Sequence, residues 1–333
     1  MDFAFSEEQE LLRASARDYL ADRWPLTRVV ETADRQPSFD AATWKELADL
    51  GWLDPSLGML EHAVLAEETG FGLLPAPWFS SIALAGPVLD DELRESVGNG
   101  DRAVTLARDG EVTASNGALS GTKHFVSDPA SVTDAVVVTD DGLYAVDLVT
   151  HPDVVVPLST TDRTRPLGEL RLDGTPARKL DVDPARLTDV RRQSLALASC
   201  EAVGIAQRAL DLAAEHTKTR QQFGRVIGTY QGVSHKVADI YVAVQLNRSL
   251  AYWAAWAVSE GDDQQDAAVA AAKASATDAA VFACENAIQV HGGIGFTWEH
   301  VLHRFYKRAQ WLQSFAGVSR THRARVADAI LAS

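Results

Sequence analysis

The chain has 333 residues, 46% hydrophobic and 23% charged, enough for one large core or two to three packed sub-domains. Its formal net charge of −15 argues against a nucleic-acid partner, because phosphate binding needs a basic face. The two cysteines, Cys200 and Cys284, fall in apolar helical patterns. They read as buried free thiols rather than a disulfide or a metal site, which suits a reducing cytoplasm. The first residues carry neither a basic region nor a hydrophobic stretch of signal length. No window approaches the roughly 18 to 20 apolar residues of a membrane span, and the Ala-rich run 266–280 keeps Asp266, Lys273 and Asp278, as a packed helix would. A cytoplasmic protein with no membrane segment is expected.

Ser6 is an N-cap with Gln9 three residues on, and Leu12, Ala16, Tyr19 and Leu20 recur at helical spacing until Pro25 ends the run. A second helix is expected from Asp40 to Leu50, and a third from Met59 to Thr69, stopped by Gly70 and Gly72. Pro75 and Pro77 make a stiff elbow before the apolar segment 78–85. Residues 1–100 therefore read as an N-terminal helical domain. Short β-favouring runs follow at 103–107, 118–120, 124–126, 135–138, 143–147 and 154–156, separated by Gly, Asp and Asn as turns require. They suggest a small antiparallel β-barrel or sandwich within a middle domain, 101–187. From 188 the helical period returns, with helices expected at 189–217, 230–260, 263–291 and 298–331, a four-helix bundle.

Between the first two bundle helices lies the stretch 220–239. Gly224 and Gly228 interrupt the helical pattern there, each costing roughly 1 kcal/mol against Ala in a helix interior. Arg220 can fork onto phosphate oxygens, and Phe223 offers a face to an aromatic ring. Read alone, the stretch is equally an ordinary helix-helix connection with a surface Arg.

The pattern Arg220-x-x-Phe223-Gly224-x-x-Ile227, with Gln231 and His235-x-x-Ala238-Asp239 beyond it, resembles the flavin-contacting turn of acyl-CoA dehydrogenases. Gln289-Val290-His291-Gly292-Gly293-Ile294-Gly295-Phe296 is similar to a second signature of that family, and Phe5-Ser-Glu-Glu-Gln-Glu-Leu-Leu12 to its first helix. The resemblance implies a mostly α protein with a central β-domain, in which FAD lies across a dimer interface. It implies that a Glu removes the α-proton of an acyl-CoA thioester while a β-hydride passes to the flavin, with electron-transfer flavoprotein as acceptor. By the same resemblance, Arg220, Gln222, Phe223, Ile227, Gln231, Gln289, Val290, Gly292 and Gly293 match the contacts made to a neighbouring subunit's cofactor. Glycines at 292 and 293 would let backbone N–H groups approach phosphate closely.

The contacts a subunit makes to its own flavin are poorly kept. Leu106-Ala-Arg-Asp-Gly110 stands where the family has a Thr-Glu-Pro loop, and Phe125 replaces the Trp of the strand that here reads 121–127. That strand could equally be plain barrel core. Neither family position for the base holds a carboxylate: Ala316 takes one, with Val318 at the following Thr, and Ser194, ten residues before Gly204, takes the other. Glu201 lies about 10 Å along the helix from Ser194, too far for a reaction sensitive to about 1 Å, and an ion pair with His or Arg is its expected role. His235, His291 and Glu299 are further titratable candidates, each expected to be a satisfied helix or turn residue. The family includes α2β2 enzymes in which one subunit type lacks base and flavin site, similar to those acting on bulky steroid-type acyl-CoA thioesters in actinobacteria. The expectation is the smaller, non-catalytic subunit of such a dehydrogenase, with a larger homologous partner. A homomeric enzyme with a relocated base and a non-enzymatic structural subunit are the alternatives.

Overall fold

Ser6 and Gln9 exchange the two hydrogen bonds of a capping box at 3.2 and 3.1 Å, and helix α1 (Glu7–Arg23) starts there. The computed structural model describes residues 5–35, 40–54 and 57–331. Residues 1–4, 36–39 and 55–56 of the expected N-terminal domain, and 332–333 of the expected C-terminal domain, lie outside the described residues. Pro25 ends α1 as expected, but its carbonyl accepts the Val29 N–H and opens a further short helix, α2 (Leu26–Ala33). Asp40 caps α3 (Ala41–Asp49) by accepting the Thr43 N–H at 2.8 Å. Helix α4 (Met59–Gly72) runs through the glycines expected to stop it. A Cβ on Gly70 would come within 2.2 Å of the Glu201 carbonyl oxygen, so this glycine serves close approach and not termination. The segment Phe79–Ala85 is a fully buried π-helical stretch, and α5 (Asp91–Gly98) follows under an Asp90 cap.

The β-region contains β1 (Val104–Ala107), β2 (Val112–Ser115), β3 (Ala118–Ser127), β4 (Asp134–Thr139), β5 (Gly142–Asp147), β6 (Val155–Pro157), β7 (Leu167–Pro176) and β8 (Arg178–Lys179). Two of the expected runs fuse into β3. Strands β2, β7 and β8 were not foreseen, although Leu170 and Leu172 in β7 alternate with exposed or half-buried neighbours. Of the expected barrel or sandwich, no closed barrel forms among the described residues: the strands make two four-stranded sheets, ordered β1-β4-β5-β8 and β2-β3-β7-β6. Antiparallel pairing dominates, but β1 pairs parallel to β4, from Val104 opposite Asp134 to Ala107 opposite Val137.

The helical C-terminal region has α6 (Leu187–Thr219), a small hairpin of β9 (Gln221–Gln222) and β10 (Arg225–Val226), α7 (Gln231–Ser259) and α8 (Gln265–His291). The expected last helix, 298–331, is two: α9 (Leu302–Ser314) and α10 (Ser319–Leu331). The break falls at Ala316 and Gly317, with φ of 53° and 109°. The buried Lys273 ammonium donates to the Gln313 and Gly317 carbonyls, both at 3.4 Å, and so serves backbone groups that a continuous helix would have satisfied itself.

Two compact units emerge: 1–30 with 58–74 and 195–333, and 31–57 with 75–194. In the first, α1 packs on α4 and α4 on α7; in the second, the π-helical stretch Phe79–Ala85 packs on β1. Within the first unit α4 and α6 cross backbone against backbone. A Cβ on Gly204 would lie 1.9 Å from the Glu67 carbonyl oxygen. Ala-rich α8 is the unit's central element, burying Ala268, Ala272, Ala276, Ala280, Ala283 and Ala287. Contrary to expectation, the segment Gln265–Phe296 is long and apolar enough to cross a membrane by length and composition alone. Its most apolar window is 67% buried inside the protein, as a core helix requires. Both cysteines are buried free thiols, and burial raises their pKa.

Candidate functional site

The stretch after α6 is a tight hairpin. Gln222 pairs with Arg225, and the two tip residues, Phe223 and Gly224, both have positive φ, 53° and 80°. A two-residue hairpin turn demands that geometry, and glycine meets it at no cost while phenylalanine does not. The Tyr230 hydroxyl donates to the Gln222 and Phe223 carbonyls at 3.1 and 3.3 Å, and the Arg225 guanidinium sits 3.9 Å over the Tyr230 ring. The tip is thereby braced with the Phe223 ring 92% exposed. A strained, fixed aromatic presented to solvent is a feature from which function is inferred. Below the tip, Ile227 is buried, and its N–H bonds the Arg220 carbonyl at 2.9 Å, closing the loop. The Arg220 side chain is exposed and makes no ion pair among the described residues. Gln222 and Gln231 are exposed as well.

The second segment begins where α8 ends. Gly292, at φ 64°, closes the helix by bonding its N–H to the Gln289 carbonyl, and a 3-10 turn runs from Gly292 to Phe296. Nothing lies within 4 Å of a Cβ built on Gly292 or Gly293, so their backbone faces open space. Gln289 is exposed, whereas the Val290 side chain is buried at 7% exposure and seats the segment from within. Phe296 and Trp298 are exposed beside it.

The sequence offered no sign of what ties these segments together. His216, one turn before Arg220, stacks on His291 with ring centroids 4.2 Å apart, and His291 in turn meets His300 at 4.4 Å. The His291 Nδ1 lies 2.8 Å from the Ala287 carbonyl. Burial holds all three imidazoles below their usual range, His300 down to about 4. Neighbouring imidazoles lower His216 and His300 further, and Arg220 adds to the effect on His216.

The candidate bases fare differently. Glu201 is 1% exposed and accepts from the equally buried Arg308 at 2.6 Å, the ion pair expected of it. Ser194 is buried and donates to the Arg191 carbonyl at 3.3 Å. Ala316 and Val318 lie exposed in the turn between α9 and α10. Glu299 is exposed, and a hydrogen bond from Thr297 lowers its pKa, so it stays ionised and solvated. His235 is exposed on α7, and His291 belongs to the stack.

In the other unit, the buried Lys123 ammonium donates to the Arg108 and Gly110 carbonyls at 3.0 and 2.5 Å. It fixes the segment 106–110. Phe125 is not core: it sits at φ 54°, where the register of β3 against β7 shifts, and is 67% exposed. Next to it, the His124 Nδ1 lies 2.9 Å from a Glu169 carboxylate oxygen.

Comparison with known proteins bears on this arrangement. Residues 6–90 match the acyl-CoA dehydrogenase N-terminal domain, and residues 189–331 the acyl-CoA dehydrogenase C-terminal domain. Acyl-CoA dehydrogenase FadE34 of Mycobacterium tuberculosis is 33% identical over 77% of this chain, which spans only 36% of that protein's length. Acyl-CoA dehydrogenase FadE27 of the same organism is 32% identical over 82% of this chain and 83% of its own. Among solved structures, the ChsE4–ChsE5 complex from Mycobacterium tuberculosis superposes with a TM-score of 0.89 at 25% identity, covering 100% of both chains. A variant of the Tcur3481–Tcur3483 steroid ACAD gives 0.86 at 27%, covering 98% of each. The matched domains, the relatives and the shared fold agree, and the chain belongs to the acyl-CoA dehydrogenase family.

Proposed function

We propose that this chain is the smaller, non-catalytic subunit of a heteromeric acyl-CoA dehydrogenase, and that it lends one end of its helical bundle to an FAD held mainly by a larger homologous subunit. FAD is the cofactor of the family, and the residues present fit it. An exposed guanidinium, two glycines with open backbone approach, three exposed amides and a fixed exposed ring suit a diphosphate joined to flat rings. Arg220 would fork onto phosphate oxygens while the Gly292 and Gly293 backbone approaches them. Phe223 would cover a ring face, with Gln222, Gln231 and Gln289 donating from their amides. Ile227 and Val290 seat these groups from the core. When bound, the cofactor supplies the acceptor for the substrate's β-hydride.

One observation carries the reading: Arg220, Gln222, Phe223, Gln231 and Gln289 are exposed, Arg220 without an ion pair among the described residues, while Glu201, the substitute base the sequence offers, is locked to the buried Arg308. A general base must reach the proton it takes and be free to accept it. Glu201 meets neither condition, and removal of the acyl α-proton falls to the partner. The complex of ChsE4 with ChsE5, and the paired names of the steroid ACAD, support a heteromer acting on a bulky, steroid-type acyl-CoA. An α2β2 assembly in the cytoplasm passing electrons to electron-transfer flavoprotein completes the proposal, with functional domains 1–100, 101–187 and 188–333. Arg220→Ala in the co-purified complex is expected to lower its flavin content; unchanged occupancy contradicts the assignment. One observation favours a second reading, a homomeric enzyme with a relocated base. Phe125 stays exposed on the strand whose family counterpart faces flavin, and that reading requires a yellow chain without a partner.

A further inference from the structure

Three imidazoles from three separate elements meet at the end of the bundle. His216 comes from α6, His291 from the last turn of α8, and His300 from the segment leading into α9. Each ring precedes or follows a piece of the proposed flavin-binding surface: His216 stands four residues before Arg220, and His291 between Gln289 and Gly292. No motif of the sequence requires the three to be together. The ring planes of His216 and His291 lie within 23° of parallel, a stacked pair that buries both faces of the contact.

We infer that His291 is a positioning residue, whose ring, clamped between His216 and His300, holds the Arg220 hairpin and the Gly292–Gly293 turn in fixed register, and that protonation of the stack releases both together. The inference rests on the flavin reading for its consequence, but the clamp itself is a property of this chain alone.

Burial acts on all three rings in the same direction. The groups that act on the stack are its own three rings, His303 from α9 and the Arg220 guanidinium, every one cationic when charged. A proton added to any ring meets burial, and on His216 and His300 like charge as well, while the Ala287 carbonyl partly favours the charged form of His291. Neutral stacking is therefore complete above the ordinary imidazole value of about 6.5 and is lost as pH falls from there towards 4. Because flavin would bind the closed segments, it would oppose proton uptake by the stack, and acid would in turn loosen the segments when flavin is absent.

Hydrogen exchange of the full chain between pH 7 and pH 5, corrected for intrinsic rates, reads the clamp without any flavin. Segments 216–230 and 287–300 are expected to lose protection together, by up to ~10-fold per pH unit for each proton taken up on opening. His291→Phe keeps a stacking ring that cannot titrate, so it should retain protection at pH 7 and flatten the acid loss. Independent opening of the two segments, or an unchanged acid loss in His291→Phe, overturns the inference. Should that variant fail to fold, imidazole NMR titration of the wild-type chain decides: a His291 that protonates at or above 6.5 also overturns it. The flavin reading has its own arm. If Arg220→Ala leaves the flavin content of the complex unchanged while the clamp behaves as described, the binding assignment fails and the clamp stands.

Discussion

Two regions of the same helical unit handle their charges in opposite ways. At the ends of α6 and α8, Arg220, Gln289 and Phe223 are exposed, and Arg220 has no salt bridge among the described residues. Further along α6, Glu201 and Arg308 are sealed in the core against each other at 2.6 Å. Nearby carboxylates follow the second pattern: Glu67 takes Arg248 at 2.9 Å, and Glu68 takes Arg17. An exposed cation without a partner costs little and is available to a ligand. A buried carboxylate already satisfied by Arg is spent on structure, because removing it from its partner leaves a naked charge in the interior. On the proposed reading, this difference separates a binding role from proton transfer.

The comparison breaks most visibly on the buried side. Arg308→Ala strands the Glu201 charge and should cost about 3 to 5 kcal/mol of unfolding free energy, measured by denaturant titration. Glu201→Gln with Arg308→Met should cost much less. A loss below 1 kcal/mol in Arg308→Ala would show that the pair is not buried in solution. Acid sharpens the same contrast. His322 is fully buried, and burial, with Lys273 and Arg325 adding, lowers its pKa to about 4. Because that lies below the unfolded value of about 6.5, its stabilising effect is present above 6.5 and lost as pH falls towards 4. The loss should be on the order of 2 kcal/mol between pH 7 and pH 4, and His322→Leu should flatten it.

On the exposed side the effects move to binding. Arg220→Ala should leave stability within about 0.5 kcal/mol, as surface changes do, while weakening flavin binding by about 1.5 to 3 kcal/mol. Fluorescence titration of the apo complex with FAD measures the second figure. Phe223→Gly should split the two quantities in opposite directions. Relief of the left-handed tip stabilises the chain by about 1 kcal/mol, while loss of the ring weakens cofactor retention. A destabilised Phe223→Gly would mean that the ring packs on its own chain.

Much of the fold was legible because it depends on local signals. The Ser6–Gln9 box, the Asp40 cap and the long periodic stretches of α6, α7 and α8 are written in neighbouring residues. What escaped depends on distant ones. Gly70 reads as a helix stop until Glu201 is seen pressed against it. The helical period runs through Phe315 to Ser319 without a breaker before Gly317, and the left-handed Ala316 is invisible in sequence. Strand β7 is a different case, because its alternating Leu170 and Leu172 are a local signal present in the sequence. The site shows the same division. Arg220, Phe223, Gln289 and the paired glycines stand in recognisable order, whereas His216 meets His291 only through the packing of α6 on α8.

The most direct measurement is the visible spectrum and flavin-to-chain ratio of this protein, expressed alone and then with a larger homologous dehydrogenase subunit. A colourless chain alone and one flavin per pair of chains together is the result expected of a subunit that lends its binding residues to a partner. One flavin per chain in the protein alone would contradict that role and return Phe125, Glu299 and the histidines to consideration as parts of a complete active site.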